Sequence, residues 1–169
     1  MVVANVKVEI ILNVNCDRAW EAFKDSSSWL PRMMPNVIQS YEYDGGRRGA
    51  GSLRRVTYGP DFPAGSFSLQ KILAEDNNSM TSTYTLVGGS LASKYTHYVA
   101  TVRFRPGPAD RSSTTVASWS LDYELRPTGT SSSSSSRDDR DSTDNAASRS
   151  QQSALDAFKA LEQYLLSSS

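Results

Sequence analysis

Val2, Val6, Val8, Ile10 and Leu12 share one parity in a segment rich in β-branched residues. Such alternation puts successive side chains on opposite faces, so residues 2–12 are predicted to form a strand with one buried face. Asn15 then stands as an N-cap for CDRAWEAFKD, where Ala19, Trp20 and Phe23 recur at helical spacing. Asp17 occupies the first turn of that helix, where the backbone dipole favours negative charge. The next stretch, DSSSWLPRMMP, predicts a short helix or a pair of turns stopped by Pro31 and Pro35.

From Val37 onward the pattern is that of a meander. Residues 37–43, 51–58, 65–75, 80–88, 94–105 and 114–125 read as strands, separated by DGG, YGPDFPAG, EDNN, GGS and RPGPAD. Six consecutive strands with short connections favour an antiparallel sheet. The run TSSSSSSRDDRDSTDNAASRS then offers almost nothing apolar to bury, so residues 128–140 are expected to be a flexible insert. After it Ala147, Gln151, Ala154, Leu155, Phe158, Leu161 and Leu165 fall on one helical face, with Asp156, Lys159, Glu162 and Gln163 turned away. A C-terminal helix is predicted over 151–166, with Asp141 or Ser148 as alternative caps. The order strand, two short helices, six strands, long helix implies an α+β fold. Its curved sheet has a concave apolar face, and only the terminal helix is long enough to cover it. Residues 1–127 and 141–169 are thus expected to form a single domain around the insert.

Composition changes this picture by exclusion. A chain of 169 residues is the size of one domain able to bury one core. Lysine and arginine total 18 and so do aspartate and glutamate, so no global field draws the molecule toward nucleic acid or an acidic membrane. Cys16 is the lone cysteine and His97 the lone histidine, which excludes a disulfide framework, a multi-cysteine zinc site and paired-histidine nuclease chemistry. No metal or cofactor is expected. Residues 1–13 lack the apolar run and small-residue cleavage site of a secretory signal, and no stretch of about eighteen apolar residues occurs, so a cytoplasmic monomer is the simplest expectation.

The stretch GGRRGAGSLRRVTY, residues 45–58, invites a nucleotide reading and fails it. Gly46 to Gly51 matches the glycine spacing of a phosphate loop, but Ser52 stands where lysine is needed and a strand follows instead of a helix. A dinucleotide fingerprint fails too, for want of a third glycine and a crossover helix. A hairpin turn is the better reading of Gly45, Gly46, Gly49 and Gly51, with Arg47 and Arg48 solvated at its tip and Arg55 outward. Arg54 differs, because it shares inward parity with Val56 and Tyr58. Burying a guanidinium without a partner costs several kcal/mol, so Arg54 must meet a carboxylate, water, or an acidic or carbonyl group on a ligand.

WLPRMMPNVIQSYEYDGGRRGAGSLRRVTYG, YTLVGGSL, WSLDYEL and ALEQYLL, in this order of elements, resemble the plant Bet v 1 family. That family includes pathogenesis-related class-10 proteins, major latex proteins and norcoclaurine synthases, with the abscisic acid receptors as relatives. The resemblance implies a START-like helix-grip fold: a curved seven-stranded antiparallel sheet wrapped around the C-terminal helix, two short helices after the first strand, and an internal cavity. It also implies that the glycine-rich hairpin lies beside the pocket and that Arg54 replaces a pocket-lining lysine. Ser118 falls where norcoclaurine synthases carry a catalytic lysine. GPDFPAG only half matches the receptor gate, and GGSLASKY lacks the receptor latch.

Parity places Trp119, Leu121, Tyr123 and Leu125 inside on the last strand, and Tyr98, Ala100, Val102 and Phe104 inside on the one before. The phenols of Tyr84, Tyr98 and Tyr123 are expected to supply the few polar groups a pocket uses for orientation. Leu155, Phe158 and Leu161 should face the cavity from the helix, His97 should face solvent, and Trp20, Phe23 and Trp29 should pack the short helices near the sheet end or entrance. The expected ligand set is therefore Arg54, Val56, Tyr58, Tyr84, Tyr98, Val102, Trp119, Leu121, Tyr123, Leu155, Phe158 and Leu161. The expected function is binding, storage or transport of small hydrophobic or amphipathic ligands such as cytokinins or flavonoids, in defence or stress. A cavity enzyme of secondary metabolism is the alternative; receptor-like signalling and a ribonuclease-type defence role rank below it.

Overall fold

The computed structural model of the chain describes residues 3–46, 48–108, 113–127 and 138–167, with 138–147 as backbone alone. Strand β1 (Ala4–Leu12) is followed by helices α1 (Cys16–Lys24) and α2 (Ser26–Met33). Strands β2 (Ile38–Tyr43), β3 (Leu53–Tyr58), β4 (Phe67–Asp76), β5 (Thr81–Gly89), β6 (Tyr95–Pro106) and β7 (Thr115–Leu125) come next, and helix α3 (Asp138–Ser167) ends the chain. The strands form one seven-stranded antiparallel sheet in the order β1-β7-β6-β5-β4-β3-β2. The sheet, the two short helices and the terminal helix thus match the expected helix-grip architecture.

Side-chain alternation decides which face is concave. On β6, Tyr98, Ala100, Val102 and Phe104 are buried while His97 and Arg103 are exposed. On β3, Arg54 and Val56 are buried while Leu53 and Arg55 are exposed. The register between β4 and β5 slips between Leu69 and Gln70 and again between Ile72 and Ala74. Such irregularities bend a strand and increase its twist, which curls this half of the sheet. Gly89 lies beside this region at φ 96°, and a Cβ there would come within 2.3 Å of the Phe67 carbonyl oxygen, so only glycine fits.

Asn15 caps α1 as the spacing predicts, its Oδ1 accepting from the Arg18 backbone N–H at 2.9 Å. Pro31 does not stop α2 but lies inside it, and the helix closes two residues later with the Met34 N–H donating to Leu30 at 2.9 Å. Helix α3 begins at Asp138, well before residue 151. Extending an existing helix adds a hydrogen bond per residue without a new nucleation cost, so weak helix formers can continue one that packing has secured. The rest of the expected insert, 128–137, lies outside the described residues.

The solid part of the core gathers where α1 and α2 meet the ends of β6 and β7 and the C-terminal half of α3. Trp20, Phe23, Phe104 and Phe158 form a chain of rings with neighbouring centroids 5.4–5.8 Å apart. Trp29 stacks on Tyr164 at 4.8 Å and donates its indole N–H to the Ala22 carbonyl at 2.8 Å, tying α1, α2 and α3 together. Helix α3 leans toward one flank of the sheet, contacting β1 and β7. There Gln151 donates to the Lys7 carbonyl at 3.2 Å and Glu162 accepts from the Asn13 N–H at 2.7 Å.

The glycine-rich connection is a hairpin turn, with positive φ at Gly45, Gly46, Gly49 and Gly51. The expectation that Arg48 is merely solvated is corrected. Its guanidinium pairs with Asp25 at 3.0 Å and reaches the Ser27 hydroxyl at 3.2 Å, pinning the hairpin to the start of α2. Arg47 lies outside the described residues. The hydrogen bond from Ser28 and then that from Arg48 hold the Asp25 carboxyl below its usual range. A folded-state pKa below the unfolded one gives stability that is present above the ordinary carboxylate pKa and lost as pH falls through the lowered value. Asp25→Asn should therefore flatten the acid limb of a thermal-stability profile and leave the neutral-to-basic limb parallel to that of the parent.

Candidate functional site

Between the concave face of β2 to β7 and helix α3 lies a hollow of about 1300 Å³. Pockets for drug-sized ligands are usually about 300–1000 Å³, so this space exceeds what one small guest fills. The lean of α3 toward β1 explains its position: the helix covers one flank of the sheet, and the concave face on the other side stays open toward the hollow. Val56, Val102 and Trp119 form part of the sheet wall, Ala157, Phe158 and Leu161 part of the helix wall. Trp29 and Leu30 of α2 and Phe62 of the β3–β4 loop also border it.

The structure brings most of the expected residues together here. Arg54, Val56, Tyr58, Tyr84, Tyr98, Val102, Trp119, Phe158 and Leu161 all line the hollow. Leu121, Tyr123 and Leu155 do not, and their placement is corrected. Leu121 is fully buried between its neighbours Val6 on β1 and Ala100 on β6. Tyr123 is buried edge-on against Tyr95, with centroids 6.1 Å apart. Both sit on the flank that α3 covers, so inward parity gives them packing instead of cavity surface. Gly45, Gly46, Gly49 and Gly51 are likewise absent from the cavity wall; they shape the hairpin alone.

Arg54 is 5% exposed. Its Nε donates to Gln70 Oε1 at 2.7 Å across the β3–β4 ladder, where Arg54 and Gln70 are register partners. The guanidinium carbon lies 4.6 Å from the centroid of Tyr41, 5.1 Å from that of Tyr84 and 6.0 Å from that of Tyr43. These faces attract the cation through the ring quadrupole, which offsets part of its desolvation. Burial works to lower its pKa, but the neighbouring phenols, Tyr41 foremost, outweigh that and raise it. It is a cation at every physiological pH. The ion pairs among the described residues engage Lys7, Lys24, Arg48 and Arg105, so no carboxylate pairs with Arg54 there.

Three phenols of the site, Tyr41, Tyr58 and Tyr98, are held in their protonated form. Burial raises the pKa of Tyr41, against the opposing pull of Arg54. Burial likewise raises Tyr98, reinforced by Tyr84, and raises Tyr58 against its hydrogen bond with Ser68, whose hydroxyl lies 2.9 Å away. Protonated phenols can both donate and accept, so these three offer orienting groups to a ligand. Trp119 Nε1 donates to the Tyr84 hydroxyl at 3.3 Å. Ser118, the position matched to a catalytic lysine, belongs to the opposite face, 3.5 Å from the Arg103 carbonyl. His97 is exposed.

Tyr41, Gln70, Tyr95 and Phe62 are lining residues that sequence reasoning missed. Tyr41 pairs in register with Val56, yet the shift between Ile38 and Ser40 breaks the alternation that would have exposed its direction. The signal available was Tyr41 and Tyr43 at a two-residue interval opposite the inward face carrying Arg54.

Compared with known proteins, the chain matches the Pathogenesis-related protein Bet v 1 family over residues 1–168. MLP-like protein 423 of Arabidopsis thaliana is 25% identical over 118 residues, 69% of this chain and 74% of that protein. Ara h 8.0201 superposes with a TM-score of 0.73 at 23% identity, covering 98% of this chain and 99% of that one. A truncated norcoclaurine synthase from Thalictrum flavum gives 0.71 at 18% identity, over 98% of this chain and 94% of that one. At such identities the structural likeness speaks for the fold alone. No helix among the described residues is long and apolar enough to cross a membrane.

Proposed function

The chain belongs to the pathogenesis-related Bet v 1 family, and from that premise we propose that it binds small hydrophobic or amphipathic molecules within the hollow, for storage or transport. The observation that carries this reading is the hollow itself: about 1300 Å³ walled largely by apolar and aromatic side chains, with Arg54, Gln70 and the phenols among its polar groups. Cytokinins and flavonoids have the right chemistry, a flat apolar body with a few carbonyl, hydroxyl or ring-nitrogen groups. Hiding ~300 Å² of apolar surface gains about 7 kcal/mol. Lost freedom takes back several kcal/mol, which leaves micromolar affinity and loose selectivity unless Arg54 adds to it. We place the protein in the cytoplasm, in line with its single, buried cysteine, Cys16, which leaves no second cysteine for an internal disulfide.

A carrier reading is favoured over catalysis because Ser118, the position matched to a catalytic lysine, lies on the face away from the hollow, and Tyr123 lies off the cavity wall. The test is displacement of a fluorescent apolar probe, phenylnaphthylamine, by several chemically unrelated ligands. Ala157→Trp should weaken probe binding several-fold while changing folding stability by less than about 1 kcal/mol, since the indole enters empty space. In a filled core the same enlargement costs about 1–3 kcal/mol. A probe affinity unmoved by this substitution would argue against binding in the hollow.

A further inference from the structure

The cavity wall carries Arg54, Lys94, Arg126 and Arg149, and among its described residues there is no aspartate or glutamate. This is not a reflection of the whole molecule, which carries 18 basic and 18 acidic residues. Arg54 lies deep, whereas Lys94, Arg126 and Arg149 are exposed at the rim. The fold gathers those three at one place. The Arg126 N–H donates to the Lys94 carbonyl at 2.8 Å, which sets the end of β7 beside the start of β6. Tyr95, next to Lys94, is hydrogen-bonded to Ser150 of α3, and Ser150 adjoins Arg149. None of the three takes part in the ion pairs among the described residues, which use Lys7, Lys24, Arg48 and Arg105 instead.

From this arrangement we infer that the cavity selects amphipathic anions: Lys94, Arg126 and Arg149 form a collar that receives the acid group of a ligand whose apolar body lies inside. The inference rests on the cavity-binding reading and adds the ligand's chemical class. A concave, apolar-walled site rimmed by one sign of charge concentrates field lines and raises the local concentration of the opposite charge. The chemistry recognised is a carboxylate, sulfate or sulfonate on an aromatic or aliphatic body. Amines are disfavoured by the same field, since an ammonium group would pass three cations at the rim and meet a fourth at Arg54.

The test uses two fluorescent probes that differ by one group, anilinonaphthalene sulfonate and its uncharged parent phenylnaphthylamine. At low salt the sulfonate should bind roughly ten-fold more tightly, the order that a few solvent-exposed charge contacts supply together. Raising salt to ~0.5 M should shrink that ratio several-fold. The triple variant K94Q/R126Q/R149Q changes exposed side chains only; it should bring the ratio close to one and leave phenylnaphthylamine binding as it was. Equal affinities at low salt, or a preference that survives the triple variant, would overturn the collar while leaving the cavity reading intact. Failure of both probes to bind the parent protein would overturn the cavity reading and the collar with it.

Discussion

Arg54→Met is expected to uncouple stability from binding. The parent side chain is a buried cation with an amide oxygen, three aromatic faces and no carboxylate among the described residues. Replacing a poorly compensated buried charge by an apolar chain of similar length removes a desolvation cost, so folding stability should stay level or rise by up to about 2 kcal/mol. Binding should move the other way. Hydrogen bonds to a charged group contribute about 1.5–3 kcal/mol, so a flavonoid whose carbonyl or hydroxyl reaches Arg54 should bind roughly ten- to hundred-fold more weakly. Phenylnaphthylamine, which has no such oxygen, should bind nearly as before. Thermal melts and probe displacement on the same preparations check both halves. A large loss of stability would show that Arg54 is there for the fold, contrary to its assignment as a ligand anchor.

Trp29→Ala is expected to do the most damage to the fold. The indole is 1% exposed, stacks on Tyr164 with an interplanar angle of 7°, and donates to the end of α1. Truncating a buried tryptophan costs about 3–5 kcal/mol through lost transfer and the cavity left behind. For a chain of this size that lowers the melting temperature by about 10–15 °C. Because Trp29 also borders the hollow, probe binding should weaken even below the melting transition. Trp29→Phe keeps a ring on Tyr164 and loses the N–H donor, so it should recover most of the loss and leave a deficit of about 1 kcal/mol. Equal melting temperatures for Trp29→Ala and the parent would refute the role given to this residue in joining the three helices.

How much of this could be read from the chain depended on the kind of question asked. Periodicity carried the strands because one face of each is buried: parity alone turned Arg54 and Val56 inward on β3, and Tyr98 and Val102 inward on β6. It was silent about depth. Leu121 and Tyr123 have the same inward parity as Trp119 on the same strand, yet of the three only Trp119 reaches the hollow, its indole extending to the Tyr84 hydroxyl, while α3 leans toward β1 and β7. That lean is set by contacts such as Gln151 with Lys7 and Glu162 with Asn13, each joining residues far apart in the chain. Leu155 is half-buried and off the wall although Ala154 and Phe158 beside it line the hollow, because helical periodicity does not fix how the helix is rotated over the sheet. Trp29 was expected to pack the short helices, but its partner Tyr164 lies on the terminal helix and no local pattern names it. The Arg48–Asp25 pair was hidden likewise, because a hairpin tip gives no sign of what it folds against.

The central claim, that the space between sheet and helix is open to a guest, is tested most directly by methyl NMR during titration with phenylnaphthylamine. The account predicts saturable shifts at the methyls of Val56, Val102 and Leu161, which line the hollow, with those of Ile11, Leu73 and Val87 on the exposed surface unmoved. Shifts confined to the surface methyls, or none at saturating probe, would contradict it.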